Sequence, residues 1–187
     1  MEISNFIKIY DSALPLSILS NFIQYIDKKI NFNEATVGDN KIDFSIRRTY
    51  VKGLFKESPS MTEVHWSNFL SDVFDKSILK YKEDLNIVDL PITGVKNVDV
   101  LKYEPNGFYT WHVDHFNLNP RTMSCILLLN NDYEGGSLSF RYPDQSKEME
   151  IPVKANRLIV WPSNFMYPHK VNTITKGIRY SVVAWAT

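Results

Sequence analysis

Apolar residues in the first part of the chain recur at helical spacing. One stripe repeats every three or four positions and comprises Leu19, Phe22, Ile23, Ile26 and Ile30. Pro15 stands just before it, where the first turn of a helix tolerates proline because that turn needs no N–H donor. The pattern predicts an amphipathic helix over about residues 16–30.

A second helix is predicted to begin after residue 60. Ser60 and Glu63 have the spacing of a capping box, in which each side chain satisfies a backbone N–H of the other residue. The apolar stripe behind them, which we expect to face a core, comprises Trp66, Phe69, Leu70, Val73, Phe74, Ile78 and Tyr81. We therefore expect residues 1–86 to be mainly helical, whereas the polar segment 36–55 fits short strands or a mobile surface loop.

From Val95 onward the pattern changes to short alternating segments separated by turn residues. The candidate strands are 96–103, 108–114, 121–129, 136–141, 147–153, 157–161, 168–173 and 178–186. About eight antiparallel strands in so short a stretch favour two packed sheets. We predict an α+β fold in one domain, 1–187, with a jelly roll (double-stranded β-helix) over 95–186 and supporting N-terminal helices.

Composition narrows the function classes. The chain has 187 residues, of which 44% are hydrophobic, and its 21 Lys and Arg balance its 21 Asp and Glu. No basic run marks a nucleic-acid or membrane surface, and no apolar run approaches the roughly 18 residues that span a bilayer. The single cysteine, Cys125, excludes an intrachain disulfide. We expect a soluble, cytoplasmic or otherwise intracellular protein; the oligomeric state is left open.

Three residues of the second half have the chemistry of a metal centre. His112 and Asp114 are two positions apart in a predicted strand, so their side chains project to the same face. His169 follows Pro168 in another predicted strand, which a jelly roll can bring close. Two histidines and one carboxylate form the facial triad of non-haem Fe(II) oxygenases, which leaves three metal positions open for a chelating cosubstrate and O2.

Arg179 is the next informative residue. Residues 169 and 179 flank a turn near Gly177, and their even separation predicts that both side chains lie on one face of an antiparallel hairpin. A guanidinium there would point into the metal's cavity and suits bidentate capture of a carboxylate. Ser181, on the same face, could donate a further hydrogen bond.

The motifs together resemble a known family. In family order, the quoted blocks are Tyr103–Asp114, Arg121–Asn130, Tyr133–Leu138, Trp161–Ser163, Pro168–Val171 and Gly177–Ser181. Over about 95–186, the chain resembles the catalytic domain of Fe(II)/2-oxoglutarate dioxygenases of the prolyl 4-hydroxylase type. The resemblance implies Fe(II), 2-oxoglutarate and O2 as cofactor and cosubstrates, and it allows ascorbate as a further cofactor.

The resemblance also implies roles for individual positions. His112, Asp114 and His169 match the iron ligands. Arg179 and Tyr103 match residues that contact 2-oxoglutarate, with Ser181 as a helper. In some relatives a further tyrosine from the strand after Asp114 reaches the cosubstrate, but the run Ile126–Leu129 contains none. The candidate substrate residues are Tyr109, Trp111, Arg121, Trp185, Arg47 and Arg48.

The interpretation of function follows from this resemblance and from the neutral composition. We expect oxidative hydroxylation of a C–H bond, with a prolyl ring of a peptide or protein as the favoured target and prolyl 4-hydroxylation as the reaction. An oxygenase acting on a free amino acid, a small metabolite or a nucleobase is an alternative. A hydrolytic metalloenzyme or a non-catalytic metal-binding jelly roll is an alternative of another class, although neither explains the placing of Arg179.

Overall fold

The computed structural model describes residues 2–38, 41–56, 58–117 and 120–187. Within them, the helices are a short 3-10 helix (Ile3–Phe6), α1 (Leu16–Lys29) and α2 (Met61–Asp84). The strands are β1 (Lys8–Asp11), β2 (Asn33–Glu34), β3 (Arg47–Arg48), β4 (Tyr50–Gly53), β5 (Val95–Tyr103), β6 (Phe108–His112), β7 (Met123–Leu128), β8 (Glu134–Gly135), β9 (Leu138–Arg141), β10 (Glu148–Ile151), β11 (Arg157–Pro162), β12 (His169–Val171), β13 (Ile174–Lys176) and β14 (Arg179–Ala186).

Both predicted helices are confirmed. The hydroxyl of Ser60 accepts the backbone N–H of Glu63 at 3.2 Å, and the Glu63 carboxylate accepts the N–H of Ser60 at 2.7 Å, so the capping box starts α2 as expected. The apolar stripes of α1 and α2 contribute Phe22, Leu70 and Phe74 to one buried cluster. Burial of each such side chain contributes about 1.5–3 kcal/mol, which holds the helices against the sheet described next.

The strands form two main antiparallel sheets. The larger sheet has the order β1-β11-β7-β14-β5-β4-β2, the smaller one has the order β10-β9-β12-β6-β3, and β13 pairs separately with β8. The eight predicted strands correspond to β5, β6, β7, β9, β10, β11, β12 and β14. The predicted jelly-roll core with supporting helices is confirmed.

Alternation along the strands places two cores on opposite faces of the larger sheet. In β7, Cys125 and Leu127 pack with the helices, whereas Ile126 and Leu128 face the space between the two sheets. Every residue of β7 is buried because both of its faces are covered. The inner space between the sheets is therefore enclosed by apolar side chains, and the candidate site residues lie in it.

The N-terminal part contributes strands as well as helices. β1 adds to the free edge of β11, with Ile9 opposite Ile159, a pairing that the sequence pattern did not predict. Within the segment 36–55, the strand alternative is confirmed, because β3 pairs with β6 and β4 pairs with β5. Asp39 and Asn40 of that segment lie outside the described residues.

The predicted hairpin between His169 and Arg179 is wrong. His169 lies on β12 of the smaller sheet, opposite His112, whereas Arg179 lies on β14 of the larger sheet, opposite Tyr103. The short strand β13 separates them and pairs with β8, so the chain crosses from one sheet to the other. Both side chains are buried. The side chains of His169 and Arg179 still point into one interior, as expected. They do so because the two sheets face each other, not because the residues share a hairpin.

Candidate active site between the two sheets

Three side chains that can ligate a metal meet at the mouth of the inner space. His112 ends β6, Asp114 follows two residues later, and His169 begins β12 opposite His112. The ligand atoms of the three residues all lie within 4.8 Å of one another. Asp114 Oδ1 lies 3.7 Å from His112 Nε2, and Asp114 Oδ2 lies 3.5 Å from His169 Nε2. Two imidazoles and one carboxylate fit Fe(II), since this donor set is that of the facial triad.

Backbone carbonyls orient both imidazoles. His112 Nδ1 lies 2.8 Å from the carbonyl oxygen of Thr110, and His169 Nδ1 lies 3.0 Å from that of Tyr167. Because a carbonyl only accepts, each Nδ1 carries the proton and each Nε2 presents its lone pair towards Asp114. Burial, reinforced by the neighbouring His169, lowers the pKa of His112 to about 3, which keeps this imidazole neutral.

Two serines support the carboxylate. Ser124 on β7 donates to Asp114 Oδ2 at 2.7 Å, and the hydroxyls of Ser124 and Ser163 are 2.7 Å apart. Burial alone would raise the pKa of Asp114, but His169, His112, Ser124 and Arg121 together hold it below its ordinary value. The carboxylate is therefore ionised, as a metal ligand must be. The sequence pattern does not indicate either serine, because only the pairing of β7 with β11 brings them together.

A bulge in β6 changes which residues face the metal site. His169 pairs with His112 and Val171 pairs with Tyr109, so three residues of β6 span two residues of β12. An extra residue of this kind reverses the alternation beyond it. The ring of Tyr109 consequently stacks on that of His112, with centroids 3.6 Å apart and planes at 18°. Arg47 of β3 lies over the same tyrosine ring, 4.7 Å from its centroid.

Trp111 is not brought to this site. Its ring lies between two cations of neighbouring strands, 4.5 Å from Arg141 and 4.6 Å from Lys170. Arg141 directly follows Phe140, and Lys170 directly follows His169. Because Phe140 and His169 face inwards, the two cations face outwards, and Trp111 lies with them on the outer face of the smaller sheet. In a regular strand, Tyr109 and Trp111 would lie on the same face. The bulge in β6 places their side chains on opposite faces instead.

Arg121 and Trp185 form a second aromatic and cationic pair at the site. The guanidinium of Arg121 lies 3.7 Å from the ring centroid of Trp185 on β14, and its Nη1 lies 3.8 Å from Asp114 Oδ1. Both side chains are half-buried. The structure thus brings these two predicted substrate residues to the triad. Arg48 instead lies over Phe44, 5.9 Å from the ring centroid, and its side chain is exposed.

Arg179 is fully buried without a charged partner among the described residues. Its Nη1 donates to the Ser181 hydroxyl at 3.0 Å, and its guanidinium carbon lies 5.0 Å from the ring centroid of Tyr103. Its Nε and Nη2 are buried and have no hydrogen-bond partner in the described part of the chain. Burial of a charge without an opposite charge nearby is costly, and a bound anion would offset that cost. The distal carboxylate of 2-oxoglutarate fits that requirement.

Comparison with known proteins identifies the family. A sequence profile described as the 2OG-Fe(II) oxygenase superfamily matches residues 98–187. A PKHD-type hydroxylase of Aliarcobacter butzleri (strain RM4018) is 33% identical over 170 residues, which cover 82% of this chain and 68% of that protein. The chain belongs to the 2OG-Fe(II) oxygenase superfamily. Membership of this superfamily implies Fe(II), 2-oxoglutarate and O2.

Other members of the 2OG-Fe(II) oxygenase superfamily match shorter regions or the fold alone. A PKHD-type hydroxylase of Synechococcus sp. (strain CC9902) is 36% identical over 102 residues, 50% of this chain and 42% of that protein. The chain spans less than half the length of this and several other such hydroxylases. The same fold occurs in a solved prolyl hydroxylase of Trichoplax adhaerens, which is in complex with a peptide fragment of the hypoxia inducible factor oxygen degradation domain. The TM-score is 0.80 and the identity is 21%, and the match covers 98% of this chain and 84% of that one.

Proposed function

We propose that this chain is an Fe(II)- and 2-oxoglutarate-dependent dioxygenase that hydroxylates a prolyl residue of a peptide or protein. One observation carries the proposal: the triad of His112, Asp114 and His169 lies in the same interior between the two sheets as Arg179, whose Nε and Nη2 have no partner among the described residues. A hydrolytic or merely structural metal site would have no use for a buried arginine without an anionic partner among the described residues.

The triad residues are the proposed Fe(II) ligands. The two Nε2 atoms and the Asp114 carboxylate lie within 4.8 Å of one another and would hold Fe(II) as a facial triad, a donor set that leaves room for further ligands. When bound, Fe(II) and 2-oxoglutarate supply the oxidative chemistry, in which one atom of O2 enters a substrate C–H bond as hydroxyl and the other enters succinate as CO2 is released. The protein's own contribution is to bind, to orient and to exclude water.

Arg179, Ser181 and Tyr103 form the proposed binding site for the distal end of the cosubstrate. The two free N–H groups of Arg179 can bind both oxygens of a carboxylate, while Ser181 holds the third nitrogen and fixes the plane of the guanidinium. Arg179, Ser181 and Tyr103 are each at most 1% exposed, so bulk water does not compete for these donors. Burial at this end strengthens the charge pairing that the cosubstrate would make.

Two aromatic and cationic pairs form the proposed substrate walls. Tyr109 with Arg47 contacts the ring of His112, and Trp185 with Arg121 contacts Asp114. Such half-buried aromatic surfaces suit the apolar, rigid ring of proline, and the arginines can donate to backbone carbonyls of a peptide. The prolyl hydroxylase of Trichoplax adhaerens, whose fold this chain shares, was solved with a peptide fragment. This similarity supports a peptide substrate here.

The test is a screen of prolyl peptides with the Fe(II)-loaded protein, 2-oxoglutarate and O2. We expect a gain of one oxygen atom on a prolyl ring, detected by mass spectrometry, and formation of succinate only when 2-oxoglutarate is present. Hydroxylation of free amino acids or another small metabolite, with all peptides unmodified, would leave the oxygenase class and refute the peptide substrate. Turnover without 2-oxoglutarate would refute the assignment as a 2-oxoglutarate-dependent oxygenase.

A further inference from the structure

Tyr133 is another buried residue with a polar atom that lacks a hydrogen-bond partner in the described residues. It lies in the turn between β7 and β8, and its side chain is 9% exposed. Its hydroxyl is buried and makes no hydrogen bond to any described residue. Buried hydroxyls are ordinarily hydrogen-bonded, because water no longer solvates them. The Tyr133 hydroxyl therefore has no acceptor in the part of the chain that the structure describes, and a ligand could supply one.

The ring of Tyr133 and the side chain of Arg179 meet at Gly136. A Cβ placed on Gly136 would lie 3.1 Å from Arg179 Cδ and 3.1 Å from Tyr133 Cε2, so both side chains fill the space that a larger residue would occupy. Burial raises the pKa of Tyr133, and the positive charge of Arg179 opposes that rise. The phenol is thus close enough to interact with both the charge and the donor groups of the guanidinium, although their geometry is not that of a formed hydrogen bond.

The backbone around Gly177 fixes this proximity. A Cβ on Gly177 would lie 2.8 Å from the carbonyl oxygen of Asp132 and 3.0 Å from Tyr133 Cα, so the turn that carries Tyr133 packs directly on the turn that leads into Arg179. The adjacent β8 and β13 are paired, with Glu134 opposite Lys176. Tyr133 and Arg179 are therefore positioned by the same local packing.

Three polar atoms thus lie unpaired around one buried point: Nε and Nη2 of Arg179 and the hydroxyl of Tyr133. All three can donate a hydrogen bond, and a carboxylate offers enough acceptor positions for all of them. We propose that the Tyr133 hydroxyl binds the distal carboxylate of 2-oxoglutarate together with Arg179, and so makes Tyr133 a further cosubstrate-binding residue. This inference rests on the proposed function.

The test measures cosubstrate affinity rather than turnover. The Fe(II)-loaded wild type and Tyr133→Phe are titrated anaerobically with 2-oxoglutarate and, separately, with pyruvate, which keeps the 2-oxo acid but lacks the distal carboxylate. We expect the Kd of 2-oxoglutarate to rise on the order of ten-fold in Tyr133→Phe, as for loss of one hydrogen bond to a charged group. The Kd of pyruvate should be unchanged.

Tyr180→Phe is the matched control. Tyr180 neighbours Arg179 on β14 but packs with the helix-side core, where Asp27 approaches its hydroxyl. Its loss should leave the affinity for 2-oxoglutarate unchanged. Thermal unfolding gives a second readout: without cosubstrate Tyr133→Phe should be as stable as the wild type, since only an unpaired hydroxyl is removed, while the stabilisation by added 2-oxoglutarate should be smaller.

The outcomes separate this inference from the proposed function. Equal affinity of the wild type and Tyr133→Phe for 2-oxoglutarate would overturn the role of Tyr133 alone. Equal weakening of 2-oxoglutarate and pyruvate would also overturn it, because a general distortion of the site would then be the cause. A wild type that binds no 2-oxoglutarate at all would refute the proposed function, and this inference with it.

Discussion

The rings of Tyr109 and His112 stack with their centroids 3.6 Å apart, although the two residues are separated by three positions on one strand. Regular alternation would place them on opposite faces, and the bulge between the pairs His169–His112 and Val171–Tyr109 brings them to the same face. The stack and the bond from His112 Nδ1 to the Thr110 carbonyl together define the direction of His112 Nε2. The position of a proposed metal ligand thus depends on an irregularity in the sheet.

Removal of the stacking ring should weaken metal binding. Tyr109→Leu leaves His112 oriented by one hydrogen bond only, and loss of such a supporting contact typically costs about 10–100-fold in metal affinity. Fe(II) titration under anaerobic conditions measures the change. Trp111→Leu, on the opposite face of β6, is the control and should bind Fe(II) like the wild type. Equal effects of the two variants would show that only the stability of β6 matters.

Ser124→Ala should reduce metal affinity through Asp114. The substitution removes the 2.7 Å hydrogen bond to Asp114 Oδ2, which helps to keep the pKa of this carboxyl low. We expect a loss of about ten-fold or more in Fe(II) affinity, larger at acidic pH, where protons compete better for the carboxylate. Ser77→Ala on α2, which loses only a bond to the Val73 carbonyl, should have no such pH-dependent effect.

His169→Ala should abolish tight Fe(II) binding and turnover while the fold persists. Two ligands remain, and the fold loses only the packing of the imidazole beside Phe140 and Trp161, while every member of the two apolar cores is kept. Elemental analysis of the purified variant, with its circular dichroism spectrum and Tm, checks both parts. His65→Ala on the surface of α2 should keep its metal. Full turnover by His169→Ala would remove this residue from the proposed ligand set.

Arg179→Ala should impair the cosubstrate and spare the metal. A bidentate contact to a carboxylate is lost in a buried site, a penalty on the order of 2–5 kcal/mol. The KM for 2-oxoglutarate should rise tens-fold or more, with Fe(II) affinity retained. Arg179→Lys keeps the charge but loses the planar fork, so its KM should lie between those of the wild type and Arg179→Ala. An unchanged KM would show that another cation, such as Lys176, binds the cosubstrate.

Sequence patterns predicted the elements and the convergence of the site residues. Alternation over 95–186 indicated the strands that form the jelly roll, and the two-residue spacing of His112 and Asp114 indicated that they share one face. His169 was added to them because a jelly roll can bring its strand close and because of the family resemblance, and the three residues do converge. These features are local, or they repeat along the chain, so a single sequence carries them.

Long-range pairing and irregularity were beyond these patterns. The bulge that turns Tyr109 inwards and Trp111 outwards follows from the register with β12, and the edge pairing of β1 follows from a partner far along the chain. Only the folded chain brings Ser124 to Asp114 and Tyr133 to Arg179. One signal was present: Tyr133 directly precedes Glu134-Gly135-Gly136, where the small residues leave room for Tyr133 and Arg179 to meet.

Isotopically labelled O2 shows whether this chain couples 2-oxoglutarate and O2 to hydroxylation of a prolyl peptide, as we propose. The Fe(II)-loaded protein is incubated with a responsive peptide and 2-oxoglutarate, and both products are analysed by mass spectrometry. We expect one labelled oxygen atom in the prolyl hydroxyl and one in succinate, formed in equal amounts. A hydroxyl oxygen derived entirely from water, or a modified peptide without a matching amount of succinate, would contradict the proposal.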